Sequence, residues 1–214
     1  MSNLFNEIDD DLRQDRLKTF WATYKNSIYA GIIVISLVLI GSEAYQYYSK
    51  SKTEKSGILL SQIIESIIDD ESQLINDYTD ELLESGTSNY KTYALLLKSD
   101  NFISQDKIED ARETYIDLIK KAENSLISDL ARLKLSYLNV DNYPFDQIQE
   151  ELSSLLENDN PLSLFAYEVL AMSAYKHGLY ESGIEYLNII ITNEKTTNGM
   201  FDRAKMMLRV MNSK

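Results

Sequence analysis

The chain has no cysteine, which excludes disulfides and thiolate metal sites and leaves its redox compartment open. Proline occurs twice and glycine seven times in 214 residues, so few breaks interrupt long regular segments. There is one histidine, His177, with no second imidazole and no thiol to work with; it precedes Gly178 and reads as a solvated helix end. The acidic runs Asp9 to Asp11 and Asp69 to Glu71 lack the alternating oxygen ligands, central glycine and terminal glutamate of a helix-loop-helix calcium site. There is also no glycine-rich phosphate loop, no dinucleotide fingerprint and no GxSxG elbow. No catalytic, cofactor-binding or metal site is expected, and neither a small-molecule substrate nor enzymatic turnover.

Positive charge is also scarce. The chain carries 21 bases against 34 acids, and beyond Tyr48 the balance is 17 against 28, a net charge of −11. Such a field repels phosphate backbones and anionic headgroups, which argues against nucleic acid as a partner.

What the chain does have is a run from Ile28 to Ile40, IYAGIIVISLVLI, apolar apart from Tyr29 and Ser36. With Ser27 and Gly41 to Tyr48 it reaches 22 residues, and about 1.5 Å per helical residue carries these across a hydrocarbon core of roughly 30 Å. Trp21 and Tyr24 on one side and Tyr45, Tyr47 and Tyr48 on the other suit the headgroup regions, which Glu43 can also reach. One transmembrane helix over Ile28 to Tyr48 is therefore expected. A cleavable signal peptide is the rival reading, since Ser42-Glu43-Ala44 resembles a small-x-small site. Five acids and four bases in the preceding 27 residues do not make a short positive leader, so an uncleaved anchor is favoured. Four flanking bases before the span against Lys50, Lys52 and Lys55 after it lean toward a cytoplasmic amino terminus. Residues 1–27 are then an amphipathic lead-in, with Phe5, Ile8 and Leu12 on one face and Leu17, Phe20, Trp21, Tyr24 and Ile28 on a face entering the bilayer.

Residues 49–214 are long enough for one domain, and its apolar residues recur at steps of three and four. Ile108, Ala111, Tyr115, Leu118, Ile119 and Ala122 make one such stripe, and Ile184, Leu187, Ile190 and Ile191 another. The domain is expected to be all-α, with helices over 52–69, 71–85, 89–102, 107–122, 126–139, 145–157, 163–177, 180–192 and 199–212. From Leu164 onward, Tyr167, Leu170, Ala171 and Ala174, the turn at Gly178, then Tyr180, Gly183, Leu187 and Ile190 fit a 34-residue helix-turn-helix repeat. Leu95, Ile108, Ala111, Tyr115 and Leu118 fit it more weakly, with Lys98 and Ser99 out of place. Leu130, Leu133, Tyr137 and Leu152 fit only after a register shift.

The repeat from Leu164 resembles a tetratricopeptide repeat. The amino-terminal Phe5-Asn6-Glu7-Ile8-Asp9-Asp10-Asp11-Leu12-Arg13, followed by Arg16, Trp21, Tyr24, one span and a helical domain, resembles the membrane-anchored tetratricopeptide-like family that includes YfgM, the ancillary subunit of the bacterial Sec translocon. The resemblance implies a bacterial inner-membrane protein whose periplasmic α-solenoid of antiparallel helix pairs meets translocon components, chaperones or client polypeptides. Stacked pairs form a concave surface, and in the best repeat Phe165, Glu168, Met172 and Tyr175 are expected to line it. The alternative is a scaffold for assembly of an envelope or respiratory membrane complex through the same groove.

Overall fold

The computed structural model describes the backbone of residues 2–122, 124–157 and 159–213 and, among these, the side chains of Trp21, Lys25 and residues 34 onward. The described residues form nine α-helices and no strand. Helix α1 runs Ser2–Ile68, followed by α2 (Ser72–Ser85), α3 (Ser88–Ser104), α4 (Ile108–Lys121), α5 (Ser125–Asn139), α6 (Phe145–Leu152, extended by a 3₁₀ turn to Leu156), α7 (Ser163–Lys176), α8 (Tyr180–Thr192) and α9 (Asn198–Met211). The chain divides into two compact units, Met1–Ser51 and Lys52–Lys214.

In the first unit the apolar side chains from Val34 to Ile40 are 59–66% exposed, and Tyr45, Tyr47 and Tyr48 are exposed beyond them. The Ser42 hydroxyl donates back to the Leu39 carbonyl at 2.8 Å, which satisfies a donor without any outside partner. The expected span starts within residues 26–33, whose side chains lie outside the described residues, as do those of Phe5, Ile8, Leu12, Leu17, Phe20 and Tyr24. Among the described residues no helix is long and apolar enough to cross a membrane.

In the second unit each helix from α2 onward packs against the next, and α3 against α5 and α5 against α7 as well. That is the contact pattern of stacked helical pairs, in which first helices of successive pairs lie side by side. Four apolar clusters follow in chain order. Leu59 and Ile63 of α1 meet Ile75 and Leu82 of α2 and Ala94 of α3. Leu95, Tyr115 and Leu118 meet Ile127, Ala131 and Leu135 of α5. Leu133, Ile148, Leu152 and Leu155 meet Ala166, Val169 and Leu170 of α7. Ala171, Leu187 and Ile190 meet Met200, Ala204 and Met211 of α9.

The turns show a longer period than the 34 residues laid on the sequence. Asp70, Asp106 and Gly178 all have positive φ, at 59°, 60° and 75°. Around them, Glu71 donates to Ser66, Lys107 to Phe102 and Leu179 to Ala174, at 2.9, 2.9 and 2.8 Å, while Asp70, Asp106 and Gly178 donate to Ile67, Ile103 and Tyr175. These are three copies of one helix-ending motif, closed by a left-handed residue that satisfies the last carbonyls. They lie 36 and then twice 36 positions apart. Second helices keep the same step: Ile75, Ala111 and Gly183 are buried, as are Thr79, Tyr115 and Leu187, and Leu82, Leu118 and Ile190. A β-carbon on Gly183 would come 2.7 Å from the Met211 sulfur and 3.4 Å from the Ala174 β-carbon, so the small residue there permits close approach.

The α5–α6 pair departs from this step. Its turn has no positive φ; Asn142 and Tyr143 both donate to the Asn139 carbonyl instead, and Pro144 leads into α6. The buried residues Ile148, Leu152 and Leu155 then fall one position later than the 36-residue step. Glu151, moved off the core row by that slip, accepts from Ser136 and from the Asn139 amide at 3.1 Å, and Asn139 in turn accepts from the buried Arg112. The Arg112 guanidinium also lies 5.0 Å from the centre of the Tyr143 ring. A polar bracket thus joins α4, α5 and α6 where the apolar register fails.

Candidate protein-binding groove

First helices of successive pairs line one side of the stack, and between α5, α7 and α9 they leave a cleft of about 510 Å³. Helix α5 contributes Leu130, Leu133, Lys134 and Tyr137, α7 contributes Phe165 and Glu168, Leu162 closes one end, and Arg203 reaches in from α9. Tyr137 and Phe165 are 37% and 38% exposed, an apolar lining open to a ligand.

The charges in the cleft are paired. Arg203 donates through Nε at 2.6 Å and Nη2 at 2.9 Å to the two carboxylate oxygens of buried Glu168, a fork that fixes both side chains. Hydrogen bonding to Glu168 raises the Arg203 pKa above its ordinary value. Burial, with Glu168 adding its negative field and Arg203 opposing it, pushes the Tyr137 phenol up to about 12, so it stays a neutral donor. Lys134 donates to both oxygens of Asp100 on α3, at 2.9 and 3.0 Å, and the Tyr115 hydroxyl donates to Asp100 at 2.5 Å. Burial, then this bond and the Asp100 charge, raise the Tyr115 pKa strongly.

Two of the four residues expected on the concave surface, Phe165 and Glu168, lie in the cleft. Glu168 is buried and committed to Arg203, so it shapes the wall more than it meets a ligand. Met172 and Tyr175 are half-buried outside the cleft, Met172 against the cluster around Ile148 and Leu170, Tyr175 tilted against Tyr180 at 5.9 Å. His177 ends α7 with Nδ1 2.8 Å from the Ser173 carbonyl oxygen. Lys134 and Arg203 do not stand out in the sequence, because each is defined by a partner 34 or 35 residues away.

A family described as tetratricopeptide repeat-like domain matches residues 18–160. The match begins ahead of the apolar run and ends just before the repeat at Leu164. Neither the curated proteins nor the solved structures give a match to the chain.

Proposed function

The chain belongs to the tetratricopeptide repeat-like domain family, and from that premise we propose that it is a single-pass bacterial inner-membrane protein whose periplasmic helical domain binds protein partners beside the Sec translocon and its folding factors. The family and the stack of helical pairs support a protein-interaction role. The observation that carries the reading is the cleft along α5, α7 and α9, with Tyr137 and Phe165 exposed between self-neutralised charge pairs. Such a surface suits adaptable recognition of polypeptide.

The anchor is supported by the exposed aliphatic row from Val34 to Ile40 and by a family match that includes the whole apolar run. The translocon partner rests on the amino-terminal resemblance. Partner contact is tested by placing a photo-crosslinking amino acid at position 165 of the full chain and irradiating native membranes. A translocon or folding factor in the adduct is expected; adducts with none of them sink the translocon reading. Protease treatment of spheroplasts tests topology, with loss of a carboxyl-terminal tag expected and its protection until detergent is added contrary to a periplasmic domain.

A further inference from the structure

Asparagine followed by glycine occurs once in the chain, at Asn198-Gly199. The pair opens α9. Thr197 caps it, its side-chain oxygen accepting from the Met200 amide at 3.4 Å, and the first backbone bond of the turn runs from Phe201 to the Thr197 carbonyl at 2.9 Å. The amides of Asn198 and Gly199 come before any carbonyl that the helix could offer them. Among the described residues none accepts from the Gly199 amide, and none bonds the side-chain amide of Asn198. Both residues are exposed. A β-carbon at Gly199 would meet only the Arg203 guanidinium, at 3.9 Å, so the approach to its nitrogen is open.

The other asparagines lack one or more of these conditions. Asn124 and Asn193 each use the side-chain oxygen to accept a backbone amide, from Leu126 and Lys195 at 2.9 Å. Asn160 bonds Leu162 and Asp129 and is followed by Pro161, whose nitrogen carries no proton. Asn101 and Asn139 are buried and hydrogen-bonded. Every remaining asparagine is followed by a residue with a side chain, which crowds the same nitrogen.

We propose that Asn198 is a site of intramolecular deamidation, which converts it to aspartate and isoaspartate and alters the start of α9. Base removes the Gly199 amide proton, and the nitrogen attacks the side-chain carbonyl carbon of Asn198. The new N–C bond forms as the bond to the side-chain nitrogen breaks, and that nitrogen leaves with a proton as ammonia. Water then opens the cyclic imide. Opening at the former side-chain carbonyl leaves aspartate at position 198, whereas opening at the main-chain carbonyl routes the backbone through the β-carbon. Nothing is oxidised or reduced, and hydroxide and water are the only co-reactants. Ring closure takes the Asn198 backbone out of helical dihedrals, which frays only the turn whose first amides are unbonded.

The two products act on α9 in opposite directions. Aspartate places a negative charge at the positive end of the helix and favours it. Isoaspartate adds a backbone carbon between the cap Thr197 and Met200, a buried member of the cluster that joins α7, α8 and α9. The chemistry is independent of what the groove binds.

The test incubates the full-length chain in phosphatidylcholine nanodiscs at mildly alkaline pH and follows each asparagine by peptide mapping and mass spectrometry, with electron-transfer fragmentation to tell isoaspartate from aspartate. Conversion is expected at position 198 ahead of every other asparagine, faster as pH rises, with isoaspartate the larger product. Gly199→Ala, at an exposed position whose backbone is not left-handed, is expected to slow it about tenfold or more. Conversion no faster at position 198 than elsewhere, or unslowed in Gly199→Ala, overturns the proposal. Hydrogen exchange of the aged chain reads the consequence. Amides from Met200 to Arg203 are expected to exchange faster in the isoaspartate form, while Asn198→Asp leaves them as slow as before or slower. Equal exchange in the two forms overturns the effect on α9.

Discussion

The α7–α8 pair and the α5–α6 pair are both helical hairpins in the same stack, yet only the first is recognisable as a repeat in sequence. In α7–α8, Gly178 closes the turn, and Gly183, Leu187 and Ile190 fall on the core row shared with α2 and α4. In α5–α6 the turn lacks a left-handed residue, the row slips by one, and the polar bracket of Arg112, Asn139 and Glu151 takes over the join. A repeat fold thus tolerates a register error in one hairpin when the turn absorbs it and the displaced side chain finds a polar partner.

The largest effect expected from breaking this comparison comes from the regular hairpin. Leu187→Ala removes a fully buried side chain and should lower unfolding stability by about 2–5 kcal/mol in a urea titration. In the irregular hairpin, Arg112→Ala strips a donor from buried Asn139 and a cation from the Tyr143 ring, and should cost about 2–3 kcal/mol. An unchanged midpoint for that variant would show that the bracket does not hold the join.

A pH titration sharpens the contrast at the groove. The Tyr137 pKa is about 12 in the folded chain and 10 when free, so the unfolded state loses its proton first. Stability from this group is intact below pH 10 and falls as pH rises toward 12; Tyr137→Phe should make that fall shallower in thermal melts. The smallest effects lie in the turns. Gly178→Ala forces a β-carbon into left-handed backbone and should cost about 1 kcal/mol, while Asp106→Gly should gain about 0.5 kcal/mol. Equal and negligible shifts for the two would mean that the shared turn geometry is not what sets the 36-residue step.

Helix positions were legible because the period of 3.6 is strong where one stripe is buried: α8 spans Tyr180–Thr192, the expected range, and most other ends fall within one or two residues of the expected ones. Helix α6 ended five residues early, handing over to a 3₁₀ turn that periodicity cannot distinguish from helix. The 36-residue step stayed hidden because aspartate at positions 70 and 106 gives no glycine signal, although it adopts the same left-handed conformation as Gly178. The groove was half visible. Phe165 stands in the sequence as an apolar residue off the packing row, but nothing local to Glu168 distinguishes a ligand contact from a side chain held by Arg203, 35 residues on.

The slip in α6 also bears on how the molecule comes apart. In a stack where each pair touches only its neighbours, cooperativity is passed from hairpin to hairpin, and it weakens wherever an interface is shorter or wetter. Helix α6 is eight residues long and bracketed by polar groups, so amides on α1 to α4 and on α7 to α9 would exchange with solvent as separate blocks, with the boundary at the α5–α6 turn. One inserted register position would then make a single domain open as two.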